Sequence, residues 1–147
     1  MTALSAEGRN GNYPGKGIGQ PVGVAVLGMG TVGTEVLRLI NEFSSNLENR
    51  IGGPIDVRGV AVSDLSKKRD VLDHFQDITL TDNARELIDR DDIDVVVEVI
   101  GGIDYPRELV LAALKAGKSV VTANKALIAA HADELSDAAN EAGVDLY

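Results

Sequence analysis

An apolar hexamer, Val22-Gly23-Val24-Ala25-Val26-Leu27, runs straight into Gly28-Met29-Gly30-Thr31-Val32-Gly33. No other feature constrains the fold of this chain as strongly. A buried strand feeds a glycine turn, and the turn feeds a helix. Each glycine answers a different steric demand. Gly28 allows the tight turn, Gly30 lets backbone approach a bound phosphate, and Gly33 lets the helix pack closely on the strand. The helix N-terminus so produced presents free N–H groups and the positive end of a dipole, which suits a dinucleotide pyrophosphate. A structural turn with no ligand shares the glycine pattern. The legible strand before it and helix after it favour the binding site.

Composition sharpens this reading. The chain has 147 residues, 44% of them hydrophobic, enough for the core of one domain. Only 3% are aromatic, so Val, Ile, Leu and Ala must fill that core, as in a parallel sheet covered by helices. The net charge of −9 argues against nucleic acid as a partner, because phosphate neutralisation needs clustered Lys and Arg. There is no cysteine, hence no disulfide, thiolate nucleophile or cysteine metal site. His74 and His131, the two histidines, lack ligand spacing and read as surface residues. No apolar run approaches a membrane span, and the N-terminus lacks a secretory h-region. The expectation is a soluble, cytoplasmic protein.

Residues 1–21, rich in Gly, Asn and Pro, read as a flexible arm. A strand over 22–27 is followed by a helix over 31–49, with Val32, Val36, Leu39, Ile40, Phe43 and Leu47 on one face. Gly52-Gly53-Pro54 ends it, and a second strand covers 55–62. Residues 63–77 are polar and irregular, and Thr81 or Asp82 can cap a short helix through Asp89. The run Val95-Val96-Val97-Glu98-Val99-Ile100, closed by Gly101-Gly102, predicts a central parallel strand. Pro106 sits in the first turn of the next helix, which Lys115 and Gly117 end. A strand over 118–122, a helix over 124–142 broken near His131, and a strand starting at Val144 complete the pattern. The fold class is α/β, a doubly wound, mostly parallel, Rossmann-like sheet with helices on both faces. The stop in mid-strand suggests a piece of a longer protein.

Ligands of such sheets bind outside the carboxyl ends of the strands, near the reversal of strand order. That rule selects the glycine turn, Ser63-Asp64, Gly101-Gly102 and Thr122-Ala123-Asn124-Lys125. Asp64 can accept from the adenosine ribose, and Ser63 can bond there too. Lys67, Lys68 and Arg69 follow, either as a solvated loop or as a seat for a 2′-phosphate. The cluster leans the choice of cofactor toward NADP, with NAD as the alternative. Gly101-Gly102 leaves room for a ribose or nicotinamide, or is only a tight turn. Glu98, inside an apolar strand, must be paired or neutral, and a structural partner in a neighbouring loop is the favoured explanation. Lys125 is the sharpest catalytic candidate. A lysine there can serve as general base for alcohol oxidation, or orient a substrate oxygen as a cation. From position alone, a surface lysine at a helix start is the simpler account.

Four stretches together carry a resemblance. They are Val26 to Gly33, Gly59-Val60-Ala61-Val62-Ser63-Asp64, Val95 to Gly102, and above all Ala116-Gly117-Lys118-Ser119-Val120-Val121-Thr122-Ala123-Asn124-Lys125-Ala126-Leu127. Over about residues 22–147 the chain resembles the homoserine dehydrogenases. The resemblance implies reversible oxidation of L-homoserine to L-aspartate 4-semialdehyde with NAD or NADP, a step toward threonine and methionine. It implies that Met29, Thr31 and Val32 contact the cofactor and that Lys125 is the active-site lysine beside the nicotinamide; Thr122, at the end of the preceding strand, is counted with the cofactor-binding residues. The family's substrate and dimerisation domain, with its second essential lysine and acidic ligands, does not occur within residues 1–147. The expectation is therefore an NAD(P)-binding domain over 22–147 that binds cofactor weakly and does not turn over homoserine alone. A homodimer is expected for the intact enzyme and a monomer for this piece. Two other readings are a cofactor-sensing module without chemistry and another amino-acid-pathway dehydrogenase; the Thr122 to Lys125 stretch argues against the latter.

Overall fold

The computed structural model describes residues 19–147. The expected arm lies, over residues 1–18, outside the described residues. From Gly19 onward the chain is tied down: the Gly19 amide donates to the carbonyl of Gly52 at 2.7 Å, and Val22 N donates to Pro54 O at 2.9 Å.

Five parallel strands form the sheet: β1 (Val22–Leu27), β2 (Ile55–Ala61), β3 (Thr79–Thr81), β4 (Val95–Glu98) and β5 (Ser119–Thr122). Their order is β3-β2-β1-β4-β5, so the winding reverses between β1 and β4. The helices are α1 (Thr31–Glu42), α2 (Ser44–Ile51), α3 (Ala84–Ile88), α4 (Asp104–Lys115) and α5 (Lys125–Ala142), with a 3₁₀ turn at Asp70–His74.

β1 is buried along its whole length because both of its faces are covered. Val22, Val24 and Val26 join Leu37, Val57 and Val60 in one core. Ala25 and Leu27 point the other way, into a core built with Val96, Val110, Leu114, Leu127 and Leu135. The alternation follows from the two-residue period of a strand.

Several boundaries differ from expectation. The helix expected over 31–49 is two helices that meet at Phe43, whose φ of −104° and ψ of 22° break the run. Ser44 and Ser45 follow, residues that prefer a helix's first turn to its interior. The predicted apolar face also misses the rotation of α1. Gly33 packs so close to Gly28, in the turn after β1, that Gly33 and Leu37 are the buried residues, while Val32 is 51% exposed. Val36, Leu39, Ile40, Phe43 and Leu47 instead line a groove with Ile55.

β3 was not expected at all, since only three residues pair with β2. The cap of α3 is neither Thr81 nor Asp82 but Asn83, whose side chain accepts from Arg85 N at 3.2 Å. The strand expected to reach Ile100 ends at Glu98, because the Ile100 amide turns onto the Glu98 carboxylate. The break near His131 is present, with φ −137° and ψ 26° inside α5. Beyond it, Asp145 to Tyr147 runs parallel to β5 as a short bridge: Val120 N donates to Asp145 O at 2.9 Å, Tyr147 N to Val120 O at 2.9 Å, and Thr122 N to Tyr147 O at 2.8 Å. Among the described residues no helix is long and apolar enough to cross a membrane.

Candidate functional site

The reversal of winding opens a cleft of about 750 Å³ beyond the carboxyl ends of β1, β2 and β4. This size falls within the roughly 300–1,000 Å³ typical of ligand sites. Gly28, Met29 and Gly30 form its floor, Ala61, Val62 and Ser63 one wall, and Val99, Ile100 and Tyr105 the other. Lys67, Lys68 and Arg69 close one end.

Each turn glycine has a visible cause. Gly28 has φ of +99°, and a Cβ there would lie 2.8 Å from the carbonyl oxygen of Val99. A Cβ on Gly33 would collide with the Gly28 carbonyl. At Gly30 a Cβ would meet nothing within 4 Å, so no protein packing demands that glycine. The space beside it belongs to the cleft. α1 has no side-chain cap and no acidic residue in its first turn. Its first amides therefore lack intrahelical partners, and its positive end is uncompensated. That cradle fits a phosphate.

The other expected residues are placed as follows. Thr31 and Val32 are exposed in the first turn of α1, beside the cleft floor. Asp64 curls into its own loop: Oδ1 accepts from Ser66 N at 2.9 Å and Ser66 Oγ at 2.5 Å. The Ser66 bonds, aided by Lys67 and Arg69, hold its carboxyl below the ordinary value. Lys68 stands 3.4 Å from Asp70, with both side chains in solvent. Gly101 and Gly102 have φ of +89° and +81° with open space where a Cβ would be. Lys125 is exposed at the first position of α5. β5 lies two strand spacings, roughly 10 Å, from β1.

The loops after β4 and β5 are joined. Asn124 caps α5 by accepting from Leu127 N at 3.0 Å, and its Nδ2 donates to Gly102 O at 2.6 Å. Thr122 Oγ1 donates to Glu98 at 2.6 Å, so the side-chain partner of that carboxylate comes from the neighbouring strand β5 and not from a neighbouring loop as expected; the adjoining loop contributes only the Ile100 amide. Thr34, Asp82 and Tyr105 also line the cleft, though nothing in their spacing marked them. They come from three separate elements that only the fold brings together.

A doubly wound parallel sheet, with an uncapped helix facing the cleft at its switch point, defines a nucleotide-binding domain of the Rossmann type. The model of the homoserine dehydrogenase NAD binding domain matches residues 28–147, and the chain belongs to that family. It is 63% identical to homoserine dehydrogenase of Corynebacterium glutamicum over 147 residues, covering 100% of this chain and 32% of the relative. The Bacillus subtilis homoserine dehydrogenase is 41% identical over 124 residues, 84% of this chain and 28% of that protein. A crystal structure of S. aureus homoserine dehydrogenase at pH 8.5 matches with a TM-score of 0.80 and 36% identity, over 87% of this chain and 32% of that one. The chain thus spans about a third of the length of these relatives.

Proposed function

We propose that this chain is the cofactor-binding part of an enzyme that oxidises L-homoserine to L-aspartate 4-semialdehyde in the cytoplasm. The observation that carries the reading is the pairing of an uncapped α1, facing the switch-point cleft, with Lys125 two strands away. The amides after Gly30 and the turn Gly28-Met29-Gly30 hold the pyrophosphate. The cleft lining reaches Ile100, and from there the nicotinamide would extend over the open backbone of Gly101 and Gly102 toward Lys125.

NADP is the preferred cofactor. Lys67, Lys68 and Arg69 line the cleft end where a 2′-phosphate would sit, and Asp64 spends its Oδ1 on Ser66. A bound nicotinamide would supply the hydride acceptor for the hydroxyl-bearing carbon of the substrate. Lys125 Nζ takes the proton of that hydroxyl, and the loop after β4 orients the reacting carbon. Residues 1–147 alone bind cofactor weakly and do not turn over homoserine. The intact enzyme acts as a homodimer.

The test is a chimera in which this chain replaces the matching first third of the Corynebacterium glutamicum enzyme. Homoserine-dependent reduction of NADP by the chimera, with none by residues 1–147 alone, is the expected result. A chimera that folds and binds NADPH but reduces nothing would overturn the assignment.

A further inference from the structure

Glu98 is fully buried, with 0% of its surface exposed, in a strand otherwise made of valine. Among the described residues no basic side chain pairs with it. A buried carboxylate without a cation is costly, and a valine there would continue the run. Stability alone gives no reason for an acid at this place. Its hydrogen bonds give one. Oε1 accepts from the Ile100 amide at 2.9 Å, at the start of the loop after β4. Oε2 accepts from Thr122 Oγ1 at 2.6 Å, at the end of β5.

Thr122 is the cross-strand neighbour of Glu98 in the ladder. Its hydroxyl oxygen accepts in turn from Asn124 N at 3.0 Å. Asn124, 9% exposed, then reaches back to Gly102 O and caps α5 through Leu127 N. Ala123 N closes the ring onto the Glu98 carbonyl at 3.3 Å. The bonds therefore form a closed circuit between residues 98–102 and 122–124, ending one residue before Lys125.

We propose that Glu98 is a positioning residue for the reaction: through Thr122 and Asn124 it locks the loop after β4 to the first turn of α5 and so fixes Lys125 against the nicotinamide end of the cleft. The proposal rests on the reading of Lys125 given above. It also gives Thr122 a different task from the one its sequence position suggests. The Thr122 hydroxyl works inside the protein, donating to Glu98 and receiving from Asn124, rather than on the cofactor.

The experiment uses the chimera for turnover and residues 1–147 for NADPH binding by nicotinamide fluorescence. Glu98→Gln keeps the shape but puts a donor where an acceptor is needed. Thr122→Val replaces the hydroxyl by a methyl group at equal volume. Each lowers kcat about 10- to 100-fold, the scale of a small misplacement of a reacting group. NADPH affinity moves less than about threefold, and Thr122→Ser, which keeps the hydroxyl, restores kcat to within about threefold. Because the residues form one unit, the double variant Glu98→Gln/Thr122→Val is no slower than the slower single. Unchanged kcat in Thr122→Val, multiplicative losses in the double variant, or a Thr122→Ser as slow as Thr122→Val would each overturn the proposal. Should Glu98→Gln fail to fold, the valine and serine variants at Thr122 decide alone. Lys125→Ala separates the two levels. Turnover that survives it sinks the reading of Lys125 and the lock with it, whereas turnover lost there but kept in both lock variants sinks the lock only.

Discussion

A β-carbon placed on Gly33 would overlap the carbonyl oxygen of Gly28 and stand 3.2 Å from Cγ2 of Val99. The first turn of α1 is therefore pressed against the turn that precedes it and against Val99, the residue just after β4. This contact fixes the direction of the helix axis, and with it where the free amides point. Gly33→Ala should cost about 3 kcal/mol, the upper range for overpacking a close contact. Urea unfolding of residues 1–147 reads this as a lower midpoint at unchanged slope.

Gly30 should behave in the opposite way. Its φ of −80° suits any residue, and a Cβ there meets no protein atom within 4 Å. Gly30→Ala should leave stability within about 0.5 kcal/mol of the parent. NADPH affinity should fall by tenfold or more, about 1.4 kcal/mol, because on the proposed reading the added methyl would occupy the place of the pyrophosphate. Equal loss of stability and of binding in both glycine variants would contradict separate roles for them.

The basic loop at the cleft end gives a test of cofactor choice. Replacing Lys67, Lys68 and Arg69 together by Ala should weaken NADPH by about tenfold, roughly 1.4 kcal/mol, and NADH by less than about twofold. Parallel titrations at two salt concentrations should show the NADPH preference of the parent shrinking as salt rises. A triple variant that loses both cofactors equally would move the 2′-phosphate away from this loop.

At the opposite end of the sheet, Arg90 grips Asp92 with bonds of 2.8 Å and 2.6 Å. Arg58 reaches the Asp92 carbonyl at 2.6 Å, and Arg90 also reaches Thr79 at 3.0 Å. The Arg90 guanidinium holds the Asp92 carboxyl below its ordinary value of 3.8. A carboxyl lowered by folding stabilises above its unfolded pKa and loses that contribution as pH falls through the folded value. Stability attributable to this pair should be complete above about pH 5 and fall away below pH 4. Both side chains are partly in solvent, so the effect is no more than about 1 kcal/mol. Asp92→Asn should flatten that part of an acid titration of thermal unfolding and leave cofactor binding intact.

How much of this was legible in the residues depended on whether the determining contact was local. β1, the glycine turn and the start of α1 could be read because strand, turn and helix signals lie within a dozen residues. The kink at His131 was legible from Asp133 and Glu134, which favour a first turn. The buried face of α1 was not, because it is set by Gly33 against Gly28, and a glycine adds nothing to an apolar periodicity. β3 was missed because its three residues are strand only through pairing with β2. At the site, the turn glycines stood out by type and position, whereas Lys125 by position alone read as a surface lysine and was singled out by the family resemblance of the stretch that ends on it. Asp82 and Tyr105 did not stand out as cleft residues, and the bond from Asn124 to Gly102 could not be read either, since these roles come from neighbours far along the chain.

The most direct test of the account is the pair of numbers kcat and NADPH affinity for Lys125→Ala in the chimera. The account predicts a loss of at least about 100-fold in kcat, the scale of a missing proton-transfer group, with NADPH affinity within about threefold of the parent. Retained turnover would contradict the role of Lys125.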